Sequence, residues 1–110
     1  MKRIKYITKN YKSVNGSVEN ITLERTGWAH DSGIFGVHKQ ADGKWSVTHL
    51  KTGWACGVFP LKRDAALLAC DYLAKVKGWD KIYIRKGRPV MPKGFREKVG
   101  KQIQKFWEVK

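Results

Sequence analysis

Acidic residues are scarce in this chain: 9 Asp plus Glu stand against 23 Lys plus Arg, a formal charge of +14. A domain of this size usually stays soluble on a net charge of about 2 to 8. The surplus costs self-repulsion unless a polyanion offsets it, which points to phosphates. Cysteine is nearly absent: Cys56 and Cys70 are the only two, with no second CxxC or CxxH partner. That excludes a zinc site or disulfide framework on spacing grounds and leaves two ordinary buried thiols. No apolar run approaches the ~20 residues of a spanning helix, so no membrane role is expected. Residues 1–12 lack the apolar centre and cleavage site of a secretory signal, and the expected location is intracellular, cytoplasmic or nucleoid-associated.

Catalytic signatures are missing as well. His30, His38 and His49 form no HxxxH, no nucleophile elbow is visible, and Gly33 and Gly36 do not belong to a phosphate loop. The expectation is a non-enzymatic protein without metal or cofactor.

What is present is enough apolar material for one core: 110 residues, 42% hydrophobic, with five Trp. The single domain divides into an N-terminal extension (1–32), a core (33–78) and a basic C-terminal part (79–110). Asn15-Gly16 favours the positive dihedrals of a tight hairpin turn, with Ile4, Tyr6, Val18, Ile21 and Leu23 as candidate inward positions. Three β-prone runs follow, GIFGVHKQ, KWSVTHL and WACGVF, separated by Asp42-Gly43 and Thr52-Gly53. They predict a three-stranded antiparallel meander. Period-2 alternation puts Val37, Trp45, Val47, Trp54 and Cys56 on an apolar face and His38, Gln40, Lys44, Ser46 and Thr48 on a polar one. His49 alternates with the inward set, where a partly buried neutral imidazole is expected.

Apolar spacing at Ala65, Leu68, Ala69, Tyr72, Leu73 and Val76 predicts a helix over 62–77, closed by Gly78, that covers the apolar face. Residues 79–84 read as a short strand and RKGRPVMPKG as a loop. A second helix over Phe95–Glu108 carries Phe95, Val99, Ile103, Phe106 and Trp107 on one face and Lys98, Lys101 and Lys105 on the other. The fold class is therefore α+β, a three-stranded sheet on one helix with a hairpin and a C-terminal helix added. Thr-Gly-Trp-Ala occurs at 26–29 and 52–55, and without further periodicity it indicates recurrent turn chemistry.

Gly36-Val37, Gly43-Lys44-Trp45, Gly57-Val58-Phe59 and the helix start Arg63-Asp64-Ala65-Ala66 follow one another in an order that resembles the Apetala-type (plant ethylene-response-factor) DNA-binding domain. That domain also occurs in phage endonucleases and integrases, and the resemblance covers residues 36–78. It implies a sheet face laid into the major groove, with His38, Gln40, Lys44, Ser46, Thr48 and Leu50 in the DNA-facing slots. The family places several Arg and a Trp there. His38, Gln40, Thr48, Gly53 and Ala55 replace them, which removes the bidentate Arg–guanine contact.

Basic charge concentrates at the ends, with ten Lys or Arg from Lys81 to Lys110 and five in residues 1–12. Such arms suit phosphates, which give affinity and position without reading sequence. Arg85-Lys86-Gly87-Arg88-Pro89 is similar to the centre of an AT-hook, which lies extended along a narrow minor groove. A basic surface turn is the plainer alternative. Trp79, Tyr83 and Trp107 are read as core, with base stacking as the alternative. The expected function is DNA binding, in transcription regulation, through Lys44, Arg85, Lys86, Arg88, Lys98, Lys101, Lys105 and the sheet face. The alternatives are a small phage or mobile-element protein that binds and inhibits a host macromolecule, and an RNA-binding module.

Overall fold

A computed structural model describes residues 2–59, 62–86 and 88–108, with the side chains of 10–14, 17–20 and 57–59 left out of the description. The chain opens with two 13-residue strands, β1 (Lys2–Val14) and β2 (Ser17–Ala29), paired in register from Lys2↔Ala29 to Val14↔Ser17. Asn15 and Gly16 both take positive φ, 51° and 80°, as the expected two-residue turn requires. The meander follows as β3 (Phe35–Lys39), β4 (Trp45–His49) and β5 (Ala55–Phe59).

The hairpin is no separate addition, however. Trp28↔Val37 and Ala29↔Gly36 join β2 to β3, so one antiparallel sheet of five strands runs in the order β1-β2-β3-β4-β5. It also curls back on itself. The Lys9 amide donates to the Gly53 carbonyl at 2.8 Å, and Lys9 bridges Trp54, bringing the first strand against the start of the last. Gly27 permits the tight crossing of β2 and β3, since a Cβ there would lie 2.1 Å from the Val37 carbonyl oxygen. The expectation of a three-stranded sheet is thus too small. A 13-residue ribbon is marginal alone and gains stability by extending a sheet that already has a covered face.

The covered face bears Phe35, Val37, Val47 and His49. Helix α1 (Arg63–Ala74) lies on it through Ala65, Ala66, Ala69, Cys70 and Leu73. It is shorter than expected, its chain turning at Lys75, and Leu68 points outward at 39% exposure. Gly78 (φ 114°) then leads into a single 3-10 turn, Trp79–Lys81, where a strand was expected. The cause is Trp79, whose ring packs edge-on against Phe35 and Phe95 with centroids 4.7 and 4.8 Å away and whose Nε1 donates to the Leu73 carbonyl at 2.9 Å. Burying that ring bends the backbone away from an extended path.

The expected loop contains a small hairpin, β6 (Tyr83–Arg85) and β7 (Arg88–Val90), before α2 (Phe95–Glu108), whose limits agree with the sequence pattern. Phe95, Val99 and Phe106 join the same core. Trp107 is exposed, as is Tyr83, while Trp79 is buried. No helix among the described residues is long and apolar enough to cross a membrane.

Candidate nucleic-acid interface

The polar face of the meander lies inside the curl. His38, Ser46 and Thr48 are 5%, 2% and 0% exposed, so these three expected DNA-facing residues form no accessible reading surface. The physical reason is the hairpin, whose inward residues Tyr6 and Thr8 are themselves buried. The Tyr6 hydroxyl meets His38 Nδ1 at 2.9 Å, and Tyr6 packs so closely on Gly36 that a Cβ there would lie 2.9 Å from its ring. A polar side chain at period 2 can face inward when another strand brings it a partner, as Tyr6 does for His38 Nδ1, whereas His38 Nε2 and Thr48 Oγ1 find none among the described residues. Gln40 and Lys44 remain accessible at the β3–β4 turn, where the Gln40 amide donates to the Lys44 carbonyl and the Lys44 amide to Asp42 Oδ1. Leu50 is half-buried.

Arg85, Lys86, Arg88 and Pro89 belong to a hairpin and are not laid out in a line as an AT-hook would be. Arg85 pairs with Arg88 across β6 and β7, and Lys86 takes φ 51° in the turn between them. A turn that reverses the chain cannot lie along a groove floor. Arg85, Lys86 and Arg88 are nevertheless all exposed, and with Gly16 at the tip of the long hairpin they line an open groove of about 630 Å³.

The helix lysines are brought together most clearly. Residues 98, 101, 102 and 105 fall at i, i+3, i+4 and i+7, one face of α2. The adjoining face packs against α1, with Tyr72 edge-on to Phe106 at 6.0 Å and Val76 and Val99 buried. That packing sets the end of α1 beside the lysine face and adds Lys75 and Lys77. The resulting cleft, about 320 Å³, is lined by Lys75, Val76, Lys77, Lys98, Lys101, Gln102 and Lys105. Five lysines line it, and among the described residues no carboxylate does. Lys75 Nζ also stands 4.8 Å above the Tyr72 ring, which partly fixes its direction. Sequence reading missed Lys75 and Lys77 as site residues, because a basic pair at a helix end is accounted for by the helix dipole alone.

Acids gather elsewhere on the same helix. Asp64 and Asp71 of α1, with Leu67 and Leu68 between them, line a groove of about 270 Å³ with His30 and Asp31. Here His30 Nε2 lies 2.6 Å from Asp71 Oδ1 and Nδ1 lies 2.7 Å from Ser32 Oγ. Ser32, His30 and Asp71 resemble a nucleophile–base–acid chain, but their other bonds are those of a turn. Ser32 Oγ accepts the Ile34 amide and the Gly33 amide is already donated to the His30 carbonyl, so the group ties the β2–β3 turn to α1.

The thiols are held protonated by burial, which pushes Cys56 up to about 12 and Cys70 further upward. That disfavours the thiolate, the nucleophilic form, at neutral pH. Among the described residues no group of three or more His, Cys, Asp or Glu could hold a metal ion. No family model matches the chain, and neither a curated protein nor a solved structure matches it.

Proposed function

We propose that the protein binds nucleic acid, duplex DNA first, and acts by binding and not by catalysis. The observation that carries this is the α1–α2 cleft, which Lys75, Lys77, Lys98, Lys101 and Lys105 line with no neutralising acid among the described residues. Lysines held together by the packing of two helices repel one another, and an anion relieves that repulsion. Arg85, Lys86 and Arg88 on the second hairpin form a further contact for phosphates, and Lys44 a third. With His38, Ser46 and Thr48 buried, base edges have few readers, so the binding is driven by phosphates and weakly selective in sequence.

The test is the salt dependence of affinity for a short duplex, measured by fluorescence anisotropy between about 50 and about 300 mM salt. Each phosphate neutralised adds about 0.9 to the slope of log affinity against log salt, so replacing Lys98, Lys101 and Lys105 by Gln lowers the slope by about 3 if all three are engaged. Absence of binding at low salt, or an unchanged slope in the triple variant, overturns the proposal.

One observation favours a second reading, a small protein that binds another protein: the Leu67–Leu68 groove with its flanking carboxylates. That reading requires a 1:1 protein complex that survives high salt while nucleic acid does not.

A further inference from the structure

We infer that the α1–α2 cleft takes a compact terminal polyphosphate, such as the triphosphate of a strand end or of a free nucleotide, in preference to internal phosphodiesters. This rests on the reading of the cleft as a phosphate site and specifies its ligand.

Shape comes first. The cleft is a concavity of about 320 Å³ between two helices, large enough for a chain of phosphates but not for the convex wall of a duplex. Internal phosphates can touch its lysine rim, whereas a terminal group can enter.

Charge density points the same way. A phosphodiester brings a single negative charge, and its neighbours along the strand are held outside by the sugars between them. A terminal phosphate carries about −1.5 to −2, and every additional phosphorus in the chain adds about one more charge within the same small volume. Five ammonium groups are best compensated by such a concentrated anion.

The residue types agree. Every described cation lining the cleft is Lys, a compact charge with three rotatable donors that can follow oxygens arranged around successive phosphorus atoms. Arg, whose planar fork suits bidentate contacts, is instead found on the β6–β7 hairpin at Arg85 and Arg88. Gln102 adds a neutral polar group to the lining. Its buried Oε1 has no hydrogen-bond partner among the described residues, so of the amide only Nε2, the donor, can serve a phosphate oxygen. A side-chain amide offers a donor at one end and an acceptor at the other. Among the described residues no aromatic ring lines the cleft, so recognition there is blind to the base.

The experiment compares one single-stranded oligonucleotide sequence bearing either a 5′-triphosphate or a 5′-hydroxyl, bound to the full chain near physiological salt with chelator present. The triphosphate form is expected to bind at least about tenfold tighter, as adding several charges to a lysine cluster requires. Inorganic tripolyphosphate should displace it. Replacing Lys98 and Lys101 by Gln should bring the two oligonucleotides to equal affinity, and the Lys101→Gln change alone should narrow the gap. ATP competing as well as the triphosphate strand assigns the site to free nucleotides, and a much weaker ATP assigns it to strand ends; both support the inference. Equal binding of the two oligonucleotides overturns it while leaving the nucleic-acid reading intact. Binding of neither oligonucleotide nor duplex overturns both.

Discussion

The Tyr6 hydroxyl and His38 Nδ1 lie 2.9 Å apart in a buried setting, and their protonation follows from that burial. Desolvation holds the Tyr6 phenol far above its usual range, so the hydroxyl keeps its proton. Desolvation, and after it the charge of Arg25, pushes His38 below its ordinary value and keeps it neutral. His49 behaves alike: burial and then Lys51 lower it, and its Nδ1 is 2.8 Å from Thr52 Oγ1. Its neutral, buried state was legible from strand alternation, whereas that of His38 was not. The alternation assigned His38 to the outer face, and nothing local in the sequence indicates that Tyr6, 32 residues earlier, returns to cover it.

The two imidazoles make stability depend on pH with a definite sign. Their folded pKa values lie below the unfolded value near 6.5, so above that value both states bind the same number of protons and stability is complete. Below it the unfolded chain takes up protons that the folded chain refuses, and stability falls, by at most about 1.4 kcal/mol per pH unit for each histidine. Urea unfolding is therefore expected to give a constant midpoint above about pH 7 and a falling one toward about pH 5.5, with the fall halved in a His49→Gln variant that remains folded. A flat profile would contradict the burial of both rings.

Among the elements, the return of β1 to β5 has the largest consequence for function, because it closes the face that the sequence offers as a DNA-reading surface. Closure depends on Gly53. Its φ is 75°, its carbonyl accepts the Lys9 amide, and an added Cβ would sit 3.0 Å from the Ile7 carbonyl oxygen. Gly53→Ala meets both a backbone penalty and a contact with unyielding main chain, and the expected loss is about 1–3 kcal/mol. Hydrogen exchange would distinguish local from general loss: the Lys9 amide should exchange faster while amides of α2 are little changed. If Lys9 keeps its protection, the contact does not hold the sheet closed.

The same scale explains what could be read in advance. Both helices and all three meander strands were visible because each carries its own period, 3.6 or 2, and its own turn residues. The two hairpin strands were visible as well, but their inward residues were only partly so. Tyr6 is buried as expected, whereas Ile21 and Leu23 are 47% and 40% exposed because that part of β2 projects beyond the meander. Val18 lies outside the described side chains. The lysine cleft was half legible. Lys98, Lys101 and Lys105 follow from helical spacing, but Lys75 and Lys77 join them only through the packing of α1 on α2, which no local pattern encodes.

For the molecule as a whole, the charge of +14 enters two balances with opposite dependence on salt. Within the free protein, like charges at the α1–α2 cleft and at the two hairpins repel in the folded state more than in the expanded unfolded chain, so screening favours folding. In a complex with polyanions, salt restores the counterions whose release drives binding, so screening opposes association. Raising sodium chloride from about 20 to about 300 mM is therefore expected to raise the Tm of the free protein while it weakens the proposed binding to DNA. Relief of about 1 kcal/mol of repulsion corresponds to roughly 4–8 °C for a domain of this size. The source of the effect can be located: replacing Lys98, Lys101 and Lys105 by Gln should raise Tm at low salt and flatten its salt dependence, because the cleft then holds two lysines in place of five. If Tm instead rises equally with salt in the variant and the parent, the repulsion is spread over the surface and the cleft is not its focus.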